Sequence, residues 1–547
     1  MAAFLFLLAT ILLTSNGMIY AQKPAPVPRL IVLISYDQYR GDYIDNFKAF
    51  AGVRGFERMR NEGAMFSACM YTHANLMTGP GHATLMTGCN PKRSGIPSND
   101  FCDSEIGRDL IATCTYCAND FGKGLSPANL IPPTLGDLLR EQNPKSKSVG
   151  IAIKDRAAIL MSGHNPTAAV WMDFKSMSFT TSPFYKTPTW LGALNKKVRA
   201  KKHANATWTT SIAESKSPAV DDQMGEGMLS SGRRTFPYTI PAADNANFFI
   251  DYIRTPYNVR DLFTATRTII DREKLGRDAA PDVLCVGVST TDFVGHTFGP
   301  DSREVQELYV ECDKELANFI DYLDKRVGRS RYLLVVTSDH GVAPIPEVIK
   351  NISAQQKTTV DAGRILESQI HYTVDSALNA AYGVLANNKS WCREIFEPSI
   401  YLSDEVLAEQ KVLKSEAAGV AARALRSLQG IAISITNDDI EKNRRPDDVP
   451  IAIWTYINNS YSPTRSGDIL LYPKQYWIFG KTPATHGTPY EYDRHVPLLM
   501  LGGGIEERTY STDVSPIDIA PTLAKMFGIT MLNVDGNPLP ISRANAR

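Results

Sequence analysis

The sequence predicts an α/β fold with a mostly parallel central sheet and helices on both faces. Short apolar runs with the character of buried strands recur near residues 30–35, 147–153, 283–288, 332–336 and 496–501. Amphipathic segments such as Ser302 to Tyr322 and Leu135 to Glu141 separate them and read as helices. This alternation is typical of parallel sheets, whose strands are apolar throughout because helices cover both faces.

Residue types that bind metals follow three of these strands. Asp37 comes after the first, and Asp292-Phe293-Val294-Gly295-His296 and Ser338-Asp339-His340-Gly341 come after the strands at 283–288 and 332–336. A late imidazole, His486, stands before Gly487. Because the carboxyl ends of parallel strands meet at one edge of a sheet, we expect these side chains to lie together. Three carboxylates and three imidazoles crowd one cation and suit two.

A candidate nucleophile lies in Met77-Thr78-Gly79-Pro80-Gly81-His82-Ala83-Thr84. The Gly-Pro-Gly turn predicts a helix start with Thr78 at the N-cap, where backbone N–H groups and the helix dipole attract an anion. Capping alone is the ordinary role of such a threonine. Beside a divalent cation, however, its hydroxyl becomes a nucleophile. His82 is predicted to bond the backbone rather than to act as a base.

Two further segments favour binding of an oxyanion. Ser94-Gly95-Ile96-Pro97-Ser98-Asn99-Asp100 places the amide of Asn99 after a tight turn. Ile151-Ala152-Ile153-Lys154-Asp155-Arg156 places two cations just past a buried strand. Isolated surface cations would be merely solvated. At the same sheet edge as the carboxylates, Arg156 can grip phosphoryl oxygens bidentately, Lys154 adds a point charge and Asn99 donates to a third oxygen.

Two stretches interrupt the strand and helix alternation and read as insertions. Residues 176–258 are rich in Lys, Ser, Thr, Pro and aromatics. Residues 344–481 lie between His340 and His486. Their sequence has a pattern typical of helices at 404–428 and aromatic patterns typical of strands at 451–457 and 468–479. The second insertion is therefore predicted to be a small α+β cap element.

The first 21 residues read as a signal peptide. An apolar stretch from Ala2 to Leu13 precedes Tyr20-Ala21-Gln22, and it is shorter than the roughly 20 residues that span a bilayer. No later segment is long and apolar enough to insert stably in a membrane. The sequence thus predicts export, to the periplasm or the outside, of a soluble chain from residue 22 to 547.

The charge balance and the cysteine content indicate which partners the protein is expected to bind and whether its cysteines are oxidised. Lys and Arg number 58 and Asp and Glu number 58, a balance that argues against nucleic acid or an anionic membrane as a partner. Five of the eight cysteines fall between residues 69 and 117. In an exported protein this clustering favours disulfides over a zinc knuckle.

With these motifs in this order, the chain resembles the alkaline phosphatase superfamily, more narrowly the secreted bacterial phosphate-irrepressible alkaline phosphatases with a Thr nucleophile. The match runs from Asp37 to about Pro521-Thr522-Leu523. The resemblance implies an alkaline phosphatase-like catalytic domain at 22–547 that hydrolyses small-molecule phosphate monoesters through a phosphothreonine, with no obligate protein partner. It also implies two zinc ions, one held by Asp292, His296 and His486, the other by Asp37, Asp339, His340 and the Thr78 oxygen. Asn99, Lys154 and Arg156 would bind the substrate phosphate.

Three other functions compete with this interpretation. A sulfatase needs a Cys or Ser followed by an Arg at set spacing, and the segment that begins at Thr78 lacks that Arg. A phosphodiesterase or nucleotide pyrophosphatase of the same superfamily shares the Thr and the six metal ligands, so the metal site does not exclude it. Lys154 and Arg156 distinguish the two activities, because they match the extra charge of a monoester dianion. A non-catalytic metal-binding or adhesion protein would have little use for a nucleophile beside a phosphate clamp.

Overall fold

The computed structural model describes residues 27–104, 111–115, 124–386 and 389–543. The signal peptide predicted at 1–21 lies outside these residues. Within the described ranges, no helix combines the length and the apolar character needed to cross a membrane.

A nine-stranded sheet forms the centre of the molecule, with strands β1 to β9 numbered along the chain. They are β1 Leu30–Tyr36, β2 Ala64–Phe66, β3 Ser148–Ala152, β4 Ala168–Asp173, β5 Ser178–Thr180, β6 Asp282–Val288, β7 Tyr332–Thr337, β8 Leu498–Gly502 and β9 Arg508–Tyr510. Their spatial order is β9-β2-β8-β7-β1-β6-β3-β4-β5. The pairs from β7 through β1, β6 and β3 to β4 are parallel, whereas β8 runs antiparallel to β7 and β2. The predicted mostly parallel sheet is confirmed.

Helices cover both faces of this sheet, as predicted. Along β1, Leu30, Val32 and Ile34 pack into one core cluster, while Ile31 and Leu33 pack into another on the opposite face. This division explains why β1 is apolar throughout. Helices Pro256–Glu273 and Arg303–Arg326 contribute to the first cluster, and helices Thr78–Thr87, Leu135–Gln142, Asp155–Ser162 and Ile519–Met526 to the second.

The register of the parallel strands places their carboxyl ends side by side. Ser35 of β1 pairs with Gly287 of β6 and with Thr337 of β7, and Gly287 also pairs with Ala152 of β3. The chain segments that leave these four strands therefore start at one edge of the sheet. Those segments carry Asp37, Lys154, Asp292 and Asp339.

A second, four-stranded sheet lies within residues 392–473. Its strands, in spatial order, are Cys392–Phe396, Ser399–Leu402, Ile469–Pro473 and Ile431–Thr436, all paired antiparallel. Helices Glu367–Tyr382, Asp404–Gln410 and Lys414–Leu425 share its main core cluster. A two-stranded parallel pair, Gly363–Ile365 with Trp477–Phe479, adjoins it.

The strand expected at 451–457 is wrong, because this segment belongs to a helix, Ile451–Ser460. Pro450 stands at the N-cap, and Trp454, Ile457 and Tyr461 recur at helical spacing and are buried together in one cluster. β-branched and aromatic residues favour strands only weakly, so burial of a single helical face decided the structure here.

Shorter elements complete the described chain. The remaining helices are Tyr43–Asn46, Phe56–Glu62, Pro91–Ser94, Leu191–Lys197, Phe248–Tyr252, Thr290–Phe298, Pro346–Gln355, Asn437–Glu441 and Glu491–Arg494. Two further antiparallel pairs join Asp100–Cys102 to Ile111–Thr113 and Thr207–Trp208 to Tyr238–Thr239.

The cysteines correct part of a second expectation, the disulfides predicted among the five cysteines between residues 69 and 117. In the described part of the chain, Cys69, Cys89 and Cys114 are buried thiols rather than disulfide partners, and Cys117 lies outside the described residues. Cys69 and Cys114 pack into different core clusters, which keeps them apart. Burial raises the pKa of both thiols, so they stay protonated and behave as small apolar side chains.

Candidate active site

Thr78 is the first residue of the helix Thr78–Thr87, and Met77, not Thr78, is its N-cap residue. Thr78 itself is therefore not the capping residue. Its Oγ1 instead lies 3.2 Å from the Nζ of Lys154, in a position that is 1% exposed. The hydroxyl is thus directed at a cation at the sheet edge, where the first N–H groups of the helix also converge.

The glycines beside Thr78 allow the helix to approach its neighbours closely. A Cβ at Gly81 would lie 2.2 Å from the backbone oxygen of Asp339, and one at Gly79 would lie 3.1 Å from Oδ1 of Asn99. Any larger residue at Gly81 would push the helix away from the segment that follows β7. The Gly-Pro-Gly sequence therefore sets the distance between Thr78 and Asp339.

The first group of candidate metal ligands consists of Asp292, His296 and His486. Asp292 and His296 are four residues apart on the helix Thr290–Phe298, so they share one face. Oδ1 of Asp292 lies 3.2 Å from Nε2 of His296 and 3.6 Å from Nε2 of His486. One donor atom from each residue falls within 4.8 Å of the others.

The second group consists of Asp37, Asp292 and His340, again with donor atoms within 4.8 Å of one another. Nε2 of His340 lies 3.5 Å from Oδ1 of Asp37 and 3.3 Å from Oδ2 of Asp339. The rings of His340 and His486 stack with centroids 3.6 Å apart, so the two groups adjoin. All six predicted ligands therefore lie together, with Asp292 common to both groups.

Each of the three imidazoles is oriented by the backbone. Nδ1 of His296 bonds the carbonyl of Ala484 at 2.8 Å, Nδ1 of His340 bonds that of Gly341 at 2.9 Å, and Nδ1 of His486 bonds that of Leu76 at 2.7 Å. A carbonyl only accepts, so each Nδ1 carries the proton and each Nε2 keeps its lone pair. That is the tautomer a metal requires.

The buried polar atoms of this cluster fit divalent cations. Oδ1 of Asp37 and Nε2 of His340 are both buried without a hydrogen-bond partner, although two such acceptors side by side are costly to bury. A cation between them would satisfy both. Carboxylate and imidazole donors together match the borderline metals such as zinc better than the oxygen-preferring ones.

Lys154 is the positive charge among these carboxylates. Its Nζ lies 2.7 Å from Oδ2 of Asp37 and 2.6 Å from Oδ2 of Asp292. Burial opposes its charge, but Asp292 and Asp37 raise the pKa of Lys154 above its usual value. Burial and the charge of Asp339 raise the pKa of Asp37, whereas Lys154 and His296 outweigh burial and hold the pKa of Asp292 well below the usual range.

Of the three residues predicted to bind phosphate, Asn99 and Lys154 lie beside Thr78, and Arg156 follows Lys154 by two residues. Oδ1 of Asn99 accepts a 2.8 Å hydrogen bond from the N–H of Gly79, so the amide group is left to donate. Lys154 is the N-cap residue of the helix Asp155–Ser162, which begins just past β3. Arg156 lies in the first turn of that helix, and its Nε is buried without a hydrogen-bond partner.

Two contacts at this site were not anticipated from sequence. The backbone bond predicted for His82 is confirmed, since its Nδ1 lies 2.8 Å from the carbonyl of Thr78, but the same atom also lies 3.1 Å from Oδ2 of Asp339. Gln38, next to Asp37, is buried between Asp292 and Asp339 and bonds both. No short-range sequence signal marks Gln38, because its partners are more than 250 residues away.

The chain matches known proteins over nearly all of its length. Residues 31–495 match the model of the type I phosphodiesterase/nucleotide pyrophosphatase family. Alkaline phosphatase PafA from Elizabethkingia meningoseptica is 32% identical over 534 residues, which cover 94% of this chain and 95% of PafA.

Solved structures extend this similarity to three dimensions. The crystal structure of wild-type PafA aligns with a TM-score of 0.84 at 31% identity, covering 94% of this chain and 98% of that one. The structure of a PafA variant aligns with the same TM-score at 30% identity and the same coverage. That variant is substituted at a threonine, an asparagine, a lysine and an arginine.

Proposed function

The chain belongs to the type I phosphodiesterase/nucleotide pyrophosphatase family and is an alkaline phosphatase, and on this premise we propose that it is an exported two-zinc phosphomonoesterase with Thr78 as its nucleophile. The observation that carries the proposal is the position of the Thr78 hydroxyl. It lies 3.2 Å from Nζ of Lys154, which itself contacts the candidate metal ligands Asp37 and Asp292. A nucleophile, a phosphate-binding cation and metal ligands thus meet at one point.

The residue types at this site support the assignment of roles. The PafA variant carries its substitutions at a threonine, an asparagine twenty-one residues later, and a lysine and an arginine two residues apart. This chain has the same four types in the same order and at the same two spacings, as Thr78, Asn99, Lys154 and Arg156. This correspondence supports Thr78 as the catalytic residue and the other three as ligands of the phosphoryl group.

Two zinc ions per chain fit the donor set. Asp292, His296 and His486 would hold one, and Asp37, Asp339, His340 and the Thr78 oxygen the other. Zinc, when bound, supplies Lewis-acid stabilisation of negative charge on oxygen. The buried acceptors of Asp37 and His340 support a cation at this place, and the free Nε2 atoms of the three imidazoles support zinc as its identity.

The protein groups account for the binding and the first displacement. Lys154 and Arg156 bind two phosphoryl oxygens with charge-assisted hydrogen bonds, and Asn99 donates to a third. The phosphorus is thereby held in line with Oγ1 of Thr78 at the helix start. Oγ1 loses its proton to solvent and attacks, the bond from Oγ1 to phosphorus forms, and the ester bond breaks as the leaving alkoxide departs and takes up a proton from solvent to become the alcohol. The product of this step is a phosphothreonine at Thr78.

Water completes the turnover. It attacks the phosphothreonine from the side that the alcohol has left, and the bond between Oγ1 and phosphorus breaks to release inorganic phosphate. The same three side chains hold the phosphoryl group in both steps. Because each displacement inverts phosphorus, the overall reaction proceeds with net retention.

The matching family also includes phosphodiesterases, so the alternative activity to test is hydrolysis of phosphodiesters. A diester carries a second substituent where a monoester dianion carries a charged oxygen, and a clamp of two cations favours the dianion. Purified, zinc-loaded protein should therefore be assayed side by side with an aryl phosphate monoester and the matching methyl diester. A higher kcat/KM for the monoester supports the proposal, and a higher value for the diester assigns the chain to phosphodiesterases.

The proposed function includes export and small-molecule substrates. The apolar N-terminal stretch predicted as a signal peptide supports export to the periplasm or the outside. Equal numbers of acidic and basic residues support small phosphate monoesters, rather than nucleic acid, as the substrates.

A further inference from the structure

Gln38 links the two groups of candidate metal ligands. Its side-chain Nε2 donates a 2.9 Å hydrogen bond to Oδ1 of Asp292, and its backbone N–H donates a 3.2 Å bond to Oδ1 of Asp339. The residue is 2% exposed. It directly follows Asp37, so a single residue touches the segments that leave β1, β6 and β7.

The backbone of Gln38 has a conformation that few residues adopt. Its φ is 63°, in the left-handed region, which is sterically unfavourable for a residue with a Cβ and where glycine or asparagine is usual. What distinguishes Gln38 from the usual glycine is therefore what its side chain contacts. The contact with Asp292 is the interaction that meets this description.

The neighbouring helix is shaped around the Gln38 amide. A Cβ at Gly295 would lie 1.9 Å from Oε1 of Gln38, so only glycine leaves room for this side chain. Gly295 lies between Asp292 and His296 on the helix that carries both ligands. The amide is therefore held in place from both sides, with its NH₂ group on Asp292.

The oxygen that Gln38 contacts is the one that faces the imidazoles. Oδ1 of Asp292 lies 3.2 Å from Nε2 of His296 and 3.6 Å from Nε2 of His486, whereas Oδ2 faces Lys154. A donor on Oδ1 fixes the rotation of the carboxylate and decides which oxygen is presented to these imidazoles. Outer contacts of this kind commonly change metal affinity about 10- to 100-fold.

We infer that Gln38 is a positioning residue: its side chain orients Asp292 toward His296 and His486, and its backbone N–H holds Asp339. The inference rests on the proposed two-zinc site. The proposed zinc assignment places Asp292 with His296 and His486, so the side chain should act mainly on that site, and a substitution at Gln38 leaves the backbone N–H, and so the bond to Asp339, in place.

The test measures zinc binding directly, by competition with a chromogenic chelator and a two-site fit. The variants are Gln38→Met, which keeps the volume and removes the donor, and Gln38→Asn, which tolerates the left-handed backbone but is one methylene shorter. Both should weaken the site of Asp292, His296 and His486 by about 10- to 100-fold and the other site by clearly less. Lys274→Met is the control, since Lys274 also has a left-handed φ of 57° but lies outside the site, and it should leave both affinities unchanged.

Three results would overturn the inference. Unchanged zinc affinities in both Gln38 variants would show that the amide does not position Asp292. Equal weakening of both sites, together with a lowered Tm, would show a general role in folding. A parent protein that binds fewer than two zinc ions would refute the two-metal proposal itself, whereas a parent with two sites and indifferent Gln38 variants would refute only the inference.

Discussion

Oδ1 of Asn99 accepts a 2.8 Å hydrogen bond from the backbone N–H of Gly79, the residue that follows Thr78. The Oδ1 end of the Asn99 amide is thereby bound to the helix start, and its NH₂ end is left for the proposed hydrogen bond to the phosphoryl group. The two ends can be separated by mutation, because a carboxylate can still accept from Gly79 but cannot donate.

Asn99→Ala should lower monoesterase kcat/KM by about 10- to 100-fold, since one donor to the phosphoryl group is lost. Asn99→Asp should lower it further, because the new carboxylate keeps the bond to Gly79 but repels a phosphate dianion. Steady-state kinetics with an aryl phosphate provide the comparison. An aspartate variant as active as the parent would show that Asn99 serves only to hold the helix.

Thr78→Ala should lower kcat/KM by several orders of magnitude, while Thr78→Ser, which keeps the hydroxyl, should retain much more activity. Thr87→Ala is the matched control, because Thr87 is buried in the same helix and its hydroxyl bonds only backbone groups. Kinetics, together with mass spectrometry of acid-quenched enzyme for a phosphorylated residue, would check the covalent step. Comparable activities of the alanine variant and the parent would contradict it.

Replacement of both Lys154 and Arg156 with Ala should lower monoesterase activity far more than diesterase activity. The expected difference in transition-state stabilisation is about 2 to 4 kcal/mol, because these contacts are charge-assisted and partly desolvated. The ratio of kcat/KM for the two substrates is the readout. Ala at Arg199 and Lys201, two exposed cations, should leave that ratio as it is. Equal losses on both substrates would mean that Lys154 and Arg156 support the site without selecting the substrate.

Exhaustive dialysis against a chelator should abolish activity, and added zinc should restore it. The restoration should need two equivalents per chain, because Asp292 joins two adjacent groups of donors. Elemental analysis and activity measured on the same titration samples would establish the ratio. Full activity with a single equivalent is the outcome that the two-metal arrangement does not allow.

The buried Glu226 predicts a dependence of stability on pH. It is 3% exposed, and burial, followed by the charge of Glu304, raises the pKa of Glu226 from 4.5 to about 9. Between these two values the unfolded chain loses the proton and the folded chain keeps it. The free energy of unfolding therefore falls as pH rises through this window, by at most about 1.4 kcal/mol per pH unit.

Glu226→Gln removes this titration, so its stability relative to the parent should increase from pH 5 to pH 9. Urea unfolding at pH 5, 7 and 9 would measure the difference. Glu416→Gln, at an exposed position, should show no such trend. A constant difference between the Glu226 variant and the parent across this range would mean that Glu226 is ionised in the folded protein.

The residues at the edge of the sheet can be predicted from sequence, because each depends only on the strand that directly precedes it. Each strand is a short apolar run, and the polar residue after it must lie at the same edge as its neighbours. This reasoning alone predicts that one edge of the sheet brings together Asp37, Lys154, Asp292 and Asp339. Helices on both faces followed from the same apolar runs, since a strand without polar positions has no solvent-facing side.

Other features depend on contacts between distant parts of the chain, which local sequence patterns do not predict. The helix Ile451–Ser460 resembles a strand in composition and forms because one face is buried. Gln38 becomes meaningful only when its backbone is left-handed and Asp292 lies beside it. The clustering of cysteines predicts disulfides, yet Cys69 and Cys114 are buried thiols, because spacing alone does not reveal which core cluster each side chain enters.

The backbone acceptors behind the three imidazoles have a consequence for evolution. A carbonyl oxygen is present whatever the side chain, so replacements at Ala484 or Leu76 keep the acceptor of His296 or His486. The ring orientations are therefore inherited with the path of the main chain. Residues in this layer can therefore change to others that fit the same buried space while the imidazoles keep their alignment.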